Sequence, residues 1–107
     1  MNMTAFEVLA DPSRRRIVEA LGAGERPVGA LVGKAGIRQS GVSRHLAILR
    51  ASGFVSTRAD GQRRLYALRP EAFGEIDAWL ARVRRQWEAR LDRFGEALEK
   101  RRKEKRP

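Results

Sequence analysis

Ile37–Gly53, I-R-Q-S-G-V-S-R-H-L-A-I-L-R-A-S-G, is followed after Phe54 and Val55 by S-T-R-A-D-G-Q-R-R-L-Y-A-L over residues 56–68, and the reading of these two stretches decides the fold. Stepping about 100° per residue puts Val42, Leu46 and Leu49 on one stripe and Ser40, Ser43, Arg44 and Ala47 on the opposite side. A helix over Gln39–Ala51 is therefore expected, with one face for a core and one left free. In the second stretch Asp60-Gly61 signals a two-residue hairpin turn, and Arg64, Tyr66 and Leu68 alternate with Arg63, Leu65 and Ala67 on the return strand. So small a hairpin cannot stand alone; it must pack on helices and project its tip, Asp60 to Arg64, as a wing. A short polar-faced helix suits the major groove of duplex DNA, while an arginine-bearing hairpin suits the flanking backbone or minor groove.

Working outward, Thr4–Ala10 predicts a short amphipathic helix with Phe6 and Leu9 inward. Asp11-Pro12 supplies an N-cap and a first-turn proline for a second helix reaching about Leu21. Its apolar stripe is Ile17, Val18 and Leu21, its outer side carries Arg14, Arg15 and Arg16, and Gly22 and Gly24 close it. Pro27 opens a third helix containing Val28, Leu31 and Val32. Gly36 ends it and turns the chain toward Ile37, which completes a helix-turn-helix. With Arg38 as N-cap, a poor one, Ile37 and Val42 occupy the positions of a hydrophobic staple. From Pro70 to about Arg102 a single long helix is expected, with Phe73, Ile76, Leu80, Val83, Trp87, Leu91, Phe94 and Leu98 spaced by threes and fours. It would run roughly 45 to 50 Å, more than one small domain covers, and a second copy of itself is the simplest partner for its apolar stripe. The expected organisation is one mainly α domain with a small β-hairpin over residues 1–99, a winged helix-turn-helix, followed by a basic, disordered tail over residues 100–107. No internal repeat and no second domain are legible.

The 107 residues carry 23 Lys and Arg against 13 Asp and Glu, a formal net charge of +10. That balance favours a polyanion, nucleic acid ahead of an anionic membrane surface. No apolar run approaches the roughly 20 residues that span a bilayer, and the opening M-N-M-T-A-F-E-V has neither the charged nor the apolar region of a signal peptide. The expectation is a cytoplasmic protein associated with the nucleoid. The absence of cysteine excludes disulfides, thiol redox sensing and thiolate metal sites. Catalysis finds no footing either. The chain has no nucleophile elbow, no glycine-rich phosphate loop and a single histidine, His45, so neither an enzyme nor a cofactor is expected.

The ordered set D-P-S-R-R-R-I-V-E-A-L, V-S-R-H-L-A-I-L-R-A-S-G-F-V and D-G-Q-R-R-L-Y-A-L resembles the ArsR-type winged-helix repressors of bacteria over about residues 3–98. The resemblance implies a homodimer formed by the first and last helices. It also implies two recognition helices reading successive major grooves of a near-palindromic operator, and repression that an inducer relieves. Two positions depart from the family pattern, with Arg38 where a serine or threonine cap is common and Gly41 where alanine is common. Metal-sensing members use a cysteine pair in the third helix or His and Asp ligands in the last. Here the third helix reads V-G-A-L-V-G and the last has no His or Cys, which disfavours a metal sensor. The pattern W-L-x-R-V-R-R-Q-W-E-A-R-L-D-R-F looks more like the non-metal branch often encoded beside lipid-binding, START-like proteins.

The candidate DNA contacts are Gln39, Ser40, Ser43 and Arg44 on the recognition helix, with Arg38 at its start as a phosphate donor. His45 is a candidate either for a phosphate contact or for a hydrogen bond at the edge of the core. On the wing the candidates are Arg58, Gln62, Arg63 and Arg64. Between Gln39 and Arg69 six arginines face one acid, Asp60, a net of +5, whereas ordinary surfaces mix signs more evenly. The candidate dimer interface is Phe6, Leu9, Phe73, Ile76, Leu80, Val83, Trp87, Leu91 and Phe94. Trp79 and Trp87 could wall an effector pocket, but interface packing is the simpler reading, and no effector is legible. Two rivals stand beside a sequence-specific regulator. One is a sequence-indifferent nucleoid or RNA-binding protein driven by charge; the other is an interaction module that captures a protein through the long helix.

Overall fold

The computed structural model describes residues 3–105. It divides into a unit ending at Glu75 and a second, formed by the long terminal helix, beginning at Ile76. The first unit carries helices α1 (Ala5–Leu9), α2 (Pro12–Leu21), α3 (Val28–Ala35) and α4 (Gln39–Ala51). Its strands are β1 (Arg26–Pro27), β2 (Val55–Asp60) and β3 (Arg63–Leu68), and a 3₁₀ turn follows over Pro70–Phe73 before α5 (Gly74–Glu104). The mainly helical class with a hairpin is as expected. The sheet, however, has three antiparallel strands in the order β1-β3-β2, since Arg26 and Pro27 pair with Tyr66 and Leu65.

Local chemistry explains most element ends. Thr4 and Glu7 form a reciprocal capping box on α1, the Glu7 N–H donating to Thr4 Oγ1 and the Thr4 N–H to Glu7 Oε1, both at 3.1 Å. Asp11 caps α2 by accepting from the N–H groups of Ser13 at 2.8 Å and Arg14 at 3.1 Å, with Pro12 in the first turn. Gly36 ends α3 in the left-handed region at φ 71°, which spares the Cβ clash another residue would meet. Helix α4 begins and ends where its periodicity predicts, and Arg38 is its N-cap without any side-chain hydrogen bond.

The core of this unit is built from Val8, Ile17, Leu31, Val42, Leu46, Leu49, Phe54 and Val55, all but inaccessible. Three expectations need correcting. On α1 it is Ala5 and Val8 that turn inward, while Phe6 is 41 % exposed and Leu9 only half-buried. Five residues make barely more than one turn, too few for a stripe to declare itself. Arg14, expected on the outer side of α2, is buried. The hairpin loop is Gly61-Gln62, one residue later than expected, because Asp60 pairs with Arg63. Gly61 has φ 63° and Gln62 lacks a positive φ, the pattern of a type II′ turn, in which glycine takes the first central position.

The last helix also departs from expectation. It runs for 31 residues to Glu104, so the tail over residues 100–107 begins as regular helix; Arg106 and Pro107 lie outside the described residues. Phe73, assigned to a dimer interface, lies in the 3₁₀ turn and meets the ring of Phe54 edge-on, centroids 5.2 Å apart at 83°, so it is at least half committed to the first unit's own core. Helix α5 has no buried residue, and Leu80, Trp87, Leu91, Phe94 and Leu98 along it are 39–63 % exposed.

Two stability measurements follow. The Arg14 N–H, opposed by partial burial and helped by His45 and the Ser13 N–H, holds the Asp11 carboxyl below its ordinary pKa. Its contribution is thus complete above the ordinary carboxylate pKa and is lost as pH falls through the lowered value. Asp11→Ala is expected to cost about 1 kcal/mol in urea unfolding at neutral pH, and the gap from wild type should narrow as pH falls through that lowered value. A gap independent of pH would remove the charge from the explanation. At Gly41 the nearest atoms an added Cβ would meet belong to Ile37, whose Cδ1 would lie 3.1 Å away. Because that atom is the tip of a flexible side chain, Gly41→Ala is expected to raise stability by up to about 1 kcal/mol through helix propensity. A loss in the same unfolding experiment would mean that Ile37 cannot yield.

Candidate nucleic-acid interface

Helix α4 is held from one side. Val42, Leu46 and Leu49 are fully buried, which leaves Gln39, Ser40, Ser43, Arg44, Ala47 and Arg50 exposed on the other side. The expected reading face is therefore a surface presented by a rigid element, with small or polar side chains able to approach base edges. Arg38 is exposed at its start. Because its side chain caps nothing, the first-turn N–H groups of α4 have no side-chain acceptor from that residue.

His45 does not belong to that face. Its Nδ1 lies 3.4 Å from Arg14 Nη1 and its Nε2 lies 3.9 Å from Asp11 Oδ1, and its side chain is 16 % exposed. Of the two roles expected for it, the hydrogen bond at the edge of the core is the one its position allows. A guanidinium can only donate, so in this contact Nδ1 is the accepting partner. The same Arg14 donates from Nε to the Val8 carbonyl at 2.7 Å and from Nη2 to the Glu7 carbonyl at 3.3 Å. One buried side chain thus joins the end of α1 to the middle of α4. An Arg in an Arg-Arg-Arg run reads as surface; only the alignment of position 14 with Ile17, Val18 and Leu21, three to seven residues on, signals otherwise.

On the wing, sequence reasoning treats four polar residues alike and the structure separates them. Arg58 forms a bidentate pair with Glu25, in which Nε donates to Oε1 at 3.1 Å and to Oε2 at 2.9 Å while Nη2 also reaches Oε1. That hydrogen bonding holds the Glu25 carboxyl below and the Arg58 guanidinium above their ordinary values. Arg63 pairs with Asp60 at 3.1 Å, and Arg69 pairs with Glu71 at 2.8 Å. Gln62 sits exposed in the turn, and Arg64 is exposed with no acidic partner among the described residues. Arg44 and Arg50 likewise lack an acidic partner among the described residues. Half of the six arginines in this segment therefore keep their charge uncompensated, two on α4 and one on β3. No group of three or more His, Cys, Asp and Glu among the described residues could hold a metal ion.

Comparison with known proteins is consistent with this geometry. A helix-turn-helix domain model matches residues 9–58. The nodulation protein NolR of Rhizobium meliloti is 44 % identical over 71 residues, covering 66 % of this chain but only 58 % of NolR. The crystal structure of an ArsR family transcriptional regulator superposes with a TM-score of 0.68 at 32 % identity, over 78 % of this chain and 92 % of that one. A homodimeric winged helix-turn-helix DNA-binding domain from Mycobacterium bovis superposes with a TM-score of 0.60 at 28 % identity, over 77 % and 76 % of the two chains. The chain belongs to the ArsR family of winged helix-turn-helix transcriptional regulators.

Proposed function

We propose that this chain is a homodimeric repressor that binds a near-palindromic operator in the cytoplasm and excludes polymerase from a promoter. The observation that carries the reading is the exposed face of α4, small and polar at Gln39, Ser40 and Ser43, with Arg44, which has no acidic partner among the described residues, beside them. Gln39, Ser40, Ser43 and Arg44 read bases or the adjoining phosphates, Arg38 donates to a phosphate, and Gln62, Arg63 and Arg64 serve the flanking backbone or minor groove. Arg58 contributes only after leaving Glu25 or by sharing its outer N–H groups. His45 contacts no DNA and instead sets the seating of α4. The reading is of a binding protein, not an enzyme.

Dimerisation is supported by the apolar face of α5. Leu80, Trp87, Leu91 and Phe94 stay exposed along one helix of about 46 Å, with Ile76 and Val83 partly covered. Such a stripe on a monomer is a liability, whereas a second copy buries it and sets two recognition helices at a fixed spacing. Phe6 and Leu9 on α1 are further candidates for the same contact. Trp79 and Trp87 serve this packing in our reading, and Arg90 lies over the Trp87 ring at 5.5 Å. With no cysteine in its 107 residues, the chain has no thiolate with which to sense a metal.

The first experiment is fluorescence anisotropy on a duplex selected from a random pool against a scrambled duplex. A preference of roughly 10³ or more is expected of a regulator. Equal and steeply salt-dependent binding to both would instead indicate a charge-driven coat protein. Arg44→Ala is expected to cost about 1 to 3 kcal/mol on the selected duplex and far less on the scrambled one; an equal loss on both would reassign Arg44 to phosphate. Leu91→Glu with Phe94→Glu should halve the mass seen by sedimentation and weaken binding to a two-half-site duplex at least tenfold. A mass unchanged by that pair of substitutions would remove α5 from the interface.

A further inference from the structure

A cleft of about 450 Å³ opens between α4 and β3, lined by Ser43, Ala47, Arg50 and Ala51 from the helix and by Arg64 and Tyr66 from the strand. Ser43, Ala47 and Ala51 follow at steps of four along the exposed side of α4, so one wall is stripped of bulk. Arg50 and Arg64 are two of the three arginines of this segment without an acidic partner among the described residues, and no acidic residue lines the cleft. Elsewhere on the wing the chain neutralises its arginines with Glu25, Asp60 and Glu71. Here two cations and two hydroxyls, those of Ser43 and Tyr66, meet across an open notch with no acidic residue in its lining.

We propose that this cleft seats a single phosphodiester strand of the duplex, clamped by Arg50 from one side and Arg64 from the other, with Ser43 and Tyr66 as further hydrogen-bonding groups. The inference rests on the DNA-binding reading given above and follows from the shape of a duplex. Its major and minor grooves are separated by one sugar-phosphate strand. A protein that puts a helix into the first and a hairpin into the second or onto its edge must straddle that strand. The cleft is the space between those two elements. Arginine suits the task, since its planar fork can take two phosphate oxygens at once. Arg50 thereby becomes a binding residue that helix periodicity alone does not single out, and Arg64 is set apart from Arg58 and Arg63. The clamp carries no base information. It fixes the register at which Arg44, six residues before Arg50 on the same helix, meets the base edges.

The volume also lies within the range of roughly 300 to 1,000 Å³ typical of small-molecule sites, so an isolated phosphate ester is the competing source of the same chemistry. The test uses the full chain, with Arg50→Gln and Arg64→Gln as exposed substitutions and Arg16→Gln, exposed on α2, as a charge-matched control outside the cleft. Thermal melts confirm that each variant folds. Anisotropy is read on the selected duplex, on the scrambled duplex, and on selected duplexes carrying one neutral methylphosphonate linkage at each position in turn. The expected result is that Arg50→Gln and Arg64→Gln each weaken binding about tenfold on selected and scrambled duplexes alike and flatten the salt slope by about 0.9. Both variants should also become insensitive to neutralisation of the same single linkage, which still matters to wild type and to Arg16→Gln. Wild-type selectivity retained in both variants at full affinity, or insensitivity to different linkages, would overturn the clamp while leaving the DNA reading intact. A wild type that binds neither duplex overturns both. Saturable binding of adenosine monophosphate, abolished by Arg64→Gln in a chain whose duplex binding that substitution leaves unchanged, would assign the cleft to a free ligand and overturn the strand assignment.

Discussion

A guanidinium placed in a protein interior must find acceptors for its N–H groups or be excluded, and at Arg14 that demand organises the first unit. Its Nε and Nη2 take the carbonyls of Val8 and Glu7 at the end of α1, and its Nη1 faces the Nδ1 of His45 on α4. Asp11, three residues earlier, caps α2 and lies within 3.9 Å of the other ring nitrogen of His45. The angle between the reading helix and α1–α2 is thus specified by directional bonds as well as by apolar packing. Hydrophobic contact tolerates sliding, whereas a fork of hydrogen bonds does not. That matters where fractions of an ångström decide which base edge is met.

The uncompensated charge follows a similar logic. Surface arginines cost little when solvated, and a protein of net charge +10 has many of them. The neutralised ones, Arg58, Arg63 and Arg69, shape the wing and its exit, while Arg44, Arg50 and Arg64 remain available to an external anion. Structural and recognition duties are thereby divided among residues of one type over a span of about thirty positions.

Much of this was legible in the sequence for identifiable reasons. Helix α4 was readable to the residue because thirteen residues give its stripe time to repeat and Gly36 punctuates its start. The wing was readable because glycine marks its turn, although the loop lies one residue later than the Asp60-Gly61 pair suggests. Strand β1 was invisible: two residues carry no period, and Arg26-Pro27 has no strand propensity to offer. The inward turn of Arg14 was hidden by its neighbours Arg15 and Arg16. The pairing of Arg58 with Glu25 joins residues thirty-three positions apart, which no local pattern encodes. Among the candidate contacts, helix geometry separated the free face of α4 from its buried one, but it could not say that His45 looks toward α2 or that the wing arginines differ.

The bidentate bridge from Arg58 to Glu25 ties the outer strand of the hairpin to the segment leading into β1. Unbraced two-stranded hairpins wave, and a binding partner must then freeze them at an entropic cost. With this brace the arm is already aimed before any encounter, so much of the ordering has been done at folding. Such an arm favours capture over induced fit, and it places part of the strength of recognition under the control of a contact made within the protein itself.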